Sequence, residues 1–177
     1  PEHPGCRLHF TDLTQNSPER LLGVEREAYL QSLDEYRLTK YQSMEPDKNA
    51  LRWFRDCGEQ YRHVVVSAVS LKAVHISAEW VYRHFGQWMR GFFVAPTSRG
   101  EKLVEGYPTT KQDIFQGWIR PDVFIDDNPA NIAQAKACNI PAILRKKPWA
   151  PKGDEWAAIA AKFEKLRSRD GYVDEAF

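Results

Sequence analysis

The sequence predicts an α/β protein in which short buried strands alternate with amphipathic helices. Three observations lead to this prediction: apolar runs of strand length, helix-start signals between them, and polar residues directly after the runs. Regular alternation of strand and helix is typical of a parallel sheet with right-handed crossover connections. A length of 177 residues and a hydrophobic content of 42% suit one domain with a sizeable core.

Five strands are expected along the chain, all of them short. The clearest has the sequence HVVVS, where three consecutive valines indicate burial on both faces of the sheet. The first has the sequence RLHFT and ends just before an aspartate. The predicted strands are residues 7–11, 63–67, 92–94, 123–125 and 142–144.

Residues 121–149 form the most informative stretch and are predicted to be a β-α-β unit. An apolar run is followed at once by two carboxylates, Asp126 and Asp127. Asn128 is then a suitable helix N-cap, and Pro129 suits the first helical position. The sequence therefore places an acidic pair at the carboxyl end of a strand, the edge where open α/β sheets bind ligands.

Two interpretations of the acidic pair stay open from this stretch alone. Adjacent carboxylates repel each other, and a hard divalent cation such as Mg²⁺ would stabilise them because it takes oxygen ligands. The alternative is that the two acids only complement the dipole at the N-terminus of the following helix.

Three further residues are candidates for chemistry at the same edge of the sheet. Asp12 follows the first predicted strand, and Ser67 ends the valine strand. Lys111 lies in the first turn of a helix predicted for residues 109–118, begun by Thr109 and Gln112 as a capping box. The helix dipole disfavours a cation there by about 0.3–1 kcal/mol. A nearby phosphate and carboxylates would stabilise the lysine and account for its position. Each candidate also has an ordinary structural interpretation, and Lys102 is a rival to Lys111.

The order of these residues resembles the haloacid dehalogenase-like (HAD-like) superfamily over roughly residues 7–150. An aspartate follows strand one, a serine follows VVV, a lysine comes next, and VFIDD carries the acidic motif. The resemblance implies a three-layer, Rossmann-like sandwich with a five-stranded parallel sheet and a small cap or none. It implies one domain over residues 1–177, with a C-terminal helix at about 154–168.

The resemblance also implies the role of each candidate residue. Asp12 is expected to be a nucleophile that forms an aspartyl-phosphate. Ser67 and Lys111 are expected to hold the phosphoryl group, and Asp126 and Asp127 to hold Mg²⁺ together with Asp12. Asn131, one turn into the helix, is expected to orient the acidic pair.

One departure from the family pattern concerns Thr14. The family's first motif is DxD, and its second aspartate is a general acid and base that contributes about 10²–10⁴-fold in rate. Here the motif is Asp12-Leu13-Thr14, and threonine cannot exchange protons at neutral pH. Family members with threonine at this place keep a long-lived phosphoenzyme.

Several interpretations of that departure stay open. The chain is a Mg²⁺-dependent phosphohydrolase with slow turnover, acting on a small phosphoester, nucleotides included. Alternatively, it is a phosphotransferase-like member, or a catalytically degenerate HAD-like module with a binding or assembly role. A further alternative is that the family's first motif lies outside this sequence.

Charge and cysteine content set the expectations for partners and compartment. The net charge of +1 and the absence of a long apolar run in the sequence argue against membrane and nucleic acid as partners. The family resemblance implies a small phosphorylated substrate. Three dispersed cysteines without a CxxC pair predict reduced thiols and a cytoplasmic location. Pro1 at the first position leaves flanking domains or a protein partner open.

Two features after the second strand of the β-α-β unit are ambiguous in sequence. The basic run of residues 145–147 suits either a phosphate-bearing ligand or a solvated surface. Trp149 lies close enough in sequence to the predicted site to contact a substrate there.

Overall fold

The computed structural model describes residues 7–97 and 103–169, which fold as a mixed α/β structure. Lys102, the predicted rival of Lys111, lies outside the described residues. Seven α-helices and four β-strands follow one another in these two ranges. The helices are α1 (Glu19–Leu22), α2 (Arg26–Lys40), α3 (Lys48–Cys57), α4 (Val74–Phe85), α5 (Lys111–Gly117), α6 (Pro129–Ala137) and α7 (Trp156–Arg169). The strands are β1 (His63–Ser67), β2 (Met89–Val94), β3 (Phe124–Asp126) and β4 (Ala142–Leu144).

The strands form two small parallel sheets, and the expected single five-stranded sheet is not seen among the described residues. β1 pairs with β2, and β3 pairs with β4, each pair in parallel. Each pair is joined through a helix, α4 in the first and α6 in the second. The predicted α/β class and the parallel direction of pairing are confirmed.

The predicted first strand, residues 7–11, is not a strand in the structure. The chain instead turns through a short 3₁₀ helix at Phe10–Asp12. The backbone N–H of His9 donates to Asp12 Oδ2 at 2.8 Å, which closes this turn locally. Phe10 packs edge-on against Trp149, with ring centroids 5.8 Å apart. These local contacts replace the strand pairing that the apolar residues Leu8 and Phe10 suggested.

β1 is less buried than its three valines predicted, because one of its edges has no partner strand among the described residues. Val64 is 38% exposed, and the rest of β1 is half-buried. The carbonyl of Ser67 accepts from the backbone of Ala95 on the β2 side. Backbone groups alternate in direction along a strand, so those of Val64 and Val66 point to the opposite, open edge.

β3 has a matching open edge. The carbonyl of Asp126 accepts from the backbone N–H of Arg145 at 2.8 Å, on the side of β4. The backbone groups of Ile125 therefore point away from β4 by the same alternation. β1 and β3 thus each leave one row of backbone donors and acceptors without a strand partner within the described ranges.

Two hydrophobic clusters hold these elements together. The first surrounds Phe115 and Phe124, and Val66 of β1 packs against it, so the cluster joins both sheets. The second contains Ile159 of α7, which is fully buried, and is flanked by Trp53 of α3. Helix α7 begins at Trp156 and not at residue 154, because residue 154 instead forms a parallel bridge with Arg145.

Candidate functional site

Lys111 lies in the first turn of its helix, as the sequence predicted, and is the first residue of α5, although another threonine caps the helix. Thr110 is the N-cap, and its hydroxyl accepts from the backbone N–H of Asp113 at 3.1 Å. The carboxylate of Asp113 accepts in return from the backbone of Thr110 at 2.9 Å, which completes a capping box. The predicted box of Thr109 and Gln112 is therefore wrong by one residue. This cap fixes the start of the helix and the place of Lys111.

The centre of the site is a buried ion pair between Lys111 and Asp126. Lys111 Nζ donates to Asp126 Oδ2 at 2.6 Å and to the carbonyl of Val66 at 2.7 Å. Each side chain of the pair is only 9% exposed. The lysine thus connects the open edge of β1 to the carboxyl end of β3, at the edge that the sequence predicted for it.

The second oxygen of Asp126 is held by the start of α6. Oδ1 accepts from the backbone N–H of Asn128 at 2.7 Å and from Asn131 Nδ2 at 3.1 Å. The expectation that Asn131 orients the acidic pair is confirmed for Asp126. Asn128 is the N-cap of α6 and Pro129 its first residue, which confirms both predictions. Asp126 therefore has hydrogen bonds on both oxygens and one fixed orientation.

Asp127 is half-buried beside this pair. Burial raises the pKa of the Asp127 carboxyl, and the neighbouring charge of Asp126 raises that pKa further. The positive charges of Lys147 and Arg145 oppose the shift. An ionised Asp127 is therefore stabilised by any cation that comes between the two carboxylates.

The two adjacent carboxylates fit a magnesium ion by the chemistry of their donors. Mg²⁺ takes oxygen ligands and usually binds through one or two carboxylates, with waters and substrate phosphate completing the shell. Within residues 7–97 and 103–169, no group of three His, Cys, Asp or Glu side chains lies close enough together to hold a metal ion. The acidic pair would supply two oxygen ligands to such an ion, and Asp12 does not join the pair in this conformation.

The other predicted site residues lie around this centre. Ser67 ends β1 one residue after Val66, whose carbonyl binds Lys111. Asp12 is exposed, and its carboxylate accepts from the backbone of His9. Thr14 is also exposed. The structure thus brings together Lys111, Asp126 and Asp127, while neither Asp12 nor Thr14 has a hydrogen bond to them among the described contacts.

The turn that carries Asp12 nevertheless lies at the rim of the site. Phe10 packs on Trp149, and Trp149 Nε1 donates to the carbonyl of Asp127 at 3.1 Å. A polar cleft of about 470 Å³ opens at this rim, within the usual size range for small-molecule sites. It is lined by Gln15, Asn16, Ser17, Glu19, Arg20, Arg26, Pro129 and Trp149.

The structure separates the three basic residues that the sequence could not distinguish. Arg145 pairs with Asp47 and lies 5.1 Å from the ring centre of Trp156. Lys146 pairs with Glu155 at the surface, at 3.2 Å. Lys147 is half-buried and lies 5.7 Å from the ring centre of Phe10.

The environment of Lys147 differs from that of its neighbours. Burial is the main cause that lowers the pKa of Lys147, the charge of Arg145 lowers it too, and that of Asp127 opposes both. The sequence alone does not show which of the three basic residues is paired. Arg145 and Lys146 find their partners Asp47 and Glu155 only through the tertiary structure.

Fold and site together define a mixed α/β protein with a buried lysine–aspartate pair at the carboxyl ends of its parallel strands. No helix among the described residues is both long and apolar enough to cross a bilayer. No protein-family model, curated protein or solved structure matches the chain.

Proposed function

We propose that the chain is a Mg²⁺-dependent, HAD-like phosphohydrolase that acts on a small phosphoester, nucleotides included. The observation that carries this proposal is the contact of Lys111 with Asp126, beside a second carboxylate, at the ends of two parallel strands. Phosphoryl transfer needs positive charge near the phosphoryl oxygens and oxygen ligands for a metal ion. The described side chains supply both at one place.

The proposed roles follow the chemistry of each side chain. The carboxylate of Asp12 attacks phosphorus, and the ester oxygen leaves and takes up a proton. Water then hydrolyses the aspartyl-phosphate and releases phosphate. Ser67 and Lys111 bind phosphoryl oxygens, and Asp126 and Asp127 bind Mg²⁺ together with Asp12. When bound, Mg²⁺ neutralises negative charge on the phosphoryl group.

Asp12 reaches the site in this proposal through the two open strand edges. We propose that residues 7–11 pair between β1 and β3 in the working enzyme, which would complete a Rossmann-like sheet in the HAD-like manner. Leu8 and Phe10, 42% and 57% exposed, alternate in sequence as strand residues do. The partial exposure of β1 supports the same arrangement, because a paired edge would cover it. Asp12 would then follow a strand directly next to Lys111.

Amide hydrogen exchange tests this pairing without reference to turnover. On addition of Mg²⁺ and orthovanadate, the amides of Val64, Val66 and Ile125 are expected to exchange at least about 10-fold more slowly, because they gain strand partners. The amides of Val65 and Ser67, which face β2, serve as controls and should change little. Unchanged exchange at the three edge amides would show that no strand enters there.

Asp12→Asn tests the nucleophile directly. Turnover of a panel of phosphoesters with Mg²⁺ is expected to fall at least about 10³-fold, since the attacking oxygen is lost. Asparagine retains the shape and turn preference of aspartate, so the fold should survive. Asp122→Asn is the matched control, because Asp122 is exposed just before β3 and should leave turnover unchanged. Equal rates in wild type and Asp12→Asn would remove the assignment.

A catalytically degenerate HAD-like module is the second candidate function. The observation that favours it is the local hydrogen bond of Asp12 to His9, together with Thr14 in place of a proton-exchanging acid. This candidate predicts Mg²⁺ binding by calorimetry without turnover of any phosphoester. The first candidate predicts both binding and turnover.

A cytoplasmic location is part of the same proposal. Cys57 and Cys138 are free thiols in the structure, and unpaired cysteines are typical of reducing compartments.

A further inference from the structure

We infer that Lys147 is a second substrate-binding cation of this site, which contacts an anionic oxygen of the phosphoester. This inference rests on the proposed function for the identity of the ligand, and on the described geometry for the place of the lysine. The ligand class is a tetrahedral oxyanion, either a phosphate ester or free phosphate.

The first support is that the charge of Lys111 is already engaged. Its ammonium donates to Asp126 and to the carbonyl of Val66, at 2.6 and 2.7 Å. Asp126 balances its charge within a buried pair. A phosphate dianion that enters beside Asp127 and its bound Mg²⁺ therefore gains from any further cation that lies there.

The second support is the environment of Lys147 itself. Its side chain is half-buried, and the ring of Phe10 lies 5.7 Å from its ammonium. Lys147 lies two residues before Trp149, whose Nε1 donates to the carbonyl of Asp127 at 3.1 Å, so its loop reaches the acidic pair. Within the described ranges, no carboxylate lies within ion-pair distance of Lys147 Nζ. A partly desolvated ammonium without an anionic partner is costly, and an anionic ligand relieves that cost.

The third support is the contrast with the two preceding basic residues. Arg145 is paired with Asp47, and Lys146 with Glu155. Their charges are used in contacts that hold the loop after β4 against α3 and the start of α7. Lys147 differs because no carboxylate of the described residues pairs with it, so its charge is available to a ligand.

The test measures the binding of inorganic phosphate by calorimetry in the presence of Mg²⁺. Lys147→Gln is expected to weaken phosphate binding about 10-fold or more, as the loss of a charge-assisted hydrogen bond does. Lys146→Gln is the matched control at the adjacent position and should stay within about 2-fold of wild type. Lys147→Arg, which keeps the positive charge, should retain most of the affinity. Thermal melting of each variant establishes that it is folded.

The outcomes separate this inference from the proposed function. Weaker phosphate binding in Lys147→Gln supports the inference even where Asp12→Asn leaves turnover unchanged, because binding does not need the nucleophile. Equal affinities in Lys147→Gln and Lys146→Gln overturn it. Failure of the wild-type protein to bind phosphate also overturns it.

Discussion

Lys111→Met is expected to lower the free energy of unfolding by about 3–5 kcal/mol, the usual cost of removing one partner from a buried ion pair. Both side chains of the pair are 9% exposed, so water cannot take the place of the missing ammonium. The substitution leaves the carboxylate of Asp126 without its cation and the carbonyl of Val66 without its donor. It also removes a cation held 5.2 Å from the ring centre of Phe124.

Urea unfolding with a double-mutant cycle measures this effect. Asp126→Asn keeps the shape of the side chain and removes its charge. The double variant Lys111→Met/Asp126→Asn is therefore expected to be more stable than the sum of the two single losses predicts, by about 1–3 kcal/mol. Lys136→Met, on the exposed face of α6, is the control and should change stability by less than about 0.5 kcal/mol. A loss below about 1 kcal/mol in Lys111→Met would contradict the buried pair.

Thr14→Asp is expected to raise phosphoester turnover by about 10²-fold or more, because it restores a group that can exchange protons. Without such a group, the aspartyl-phosphate of the wild-type protein should form faster than water removes it. The wild type is therefore expected to accumulate phosphoenzyme, and Thr14→Asp to shorten its lifetime.

Steady-state assays and rapid quenching separate the two steps of this prediction. Thr11→Asp is the matched control, since it adds the same acid one residue before Asp12, where the family pattern has none. A gain in turnover in Thr14→Asp but not in Thr11→Asp supports a functional active site whose turnover is limited by Thr14. No gain, in a protein that also forms no phosphoenzyme, favours the degenerate module.

The β-α-β unit could be predicted from sequence because its signals are local. The cap at Asn128, the proline after it and the acidic pair occupy adjacent positions, and the structure contains them as expected. Lys111 could be identified as a candidate site residue because a lysine in the first helical turn is disfavoured by the helix dipole. The structure shows that the buried carboxylate of Asp126 offsets this unfavourable interaction. The acidic pair and Lys111 could therefore be recognised from signals between residues that are close in sequence.

The conformation of residues 7–11, the first predicted strand, could not be predicted from local sequence signals. Residues 7–11 have the alternation of a strand, but a strand needs partners that lie far away in sequence. The local bond between His9 and Asp12 competes with that pairing and is made in the structure. The same limit applies to the basic run of residues 145–147, because the pair of Arg145 with Asp47 joins residues that lie far apart in sequence.

Trapping of a phosphoryl group on the protein is the measurement that bears most directly on the proposed catalytic site. Wild-type protein incubated with Mg²⁺ and acetyl phosphate, quenched in acid and digested, is analysed by mass spectrometry. The proposal predicts one added phosphoryl group, located on Asp12, removed by hydroxylamine and absent in Asp12→Asn or with EDTA. No adduct, or an adduct on any other residue, would contradict it.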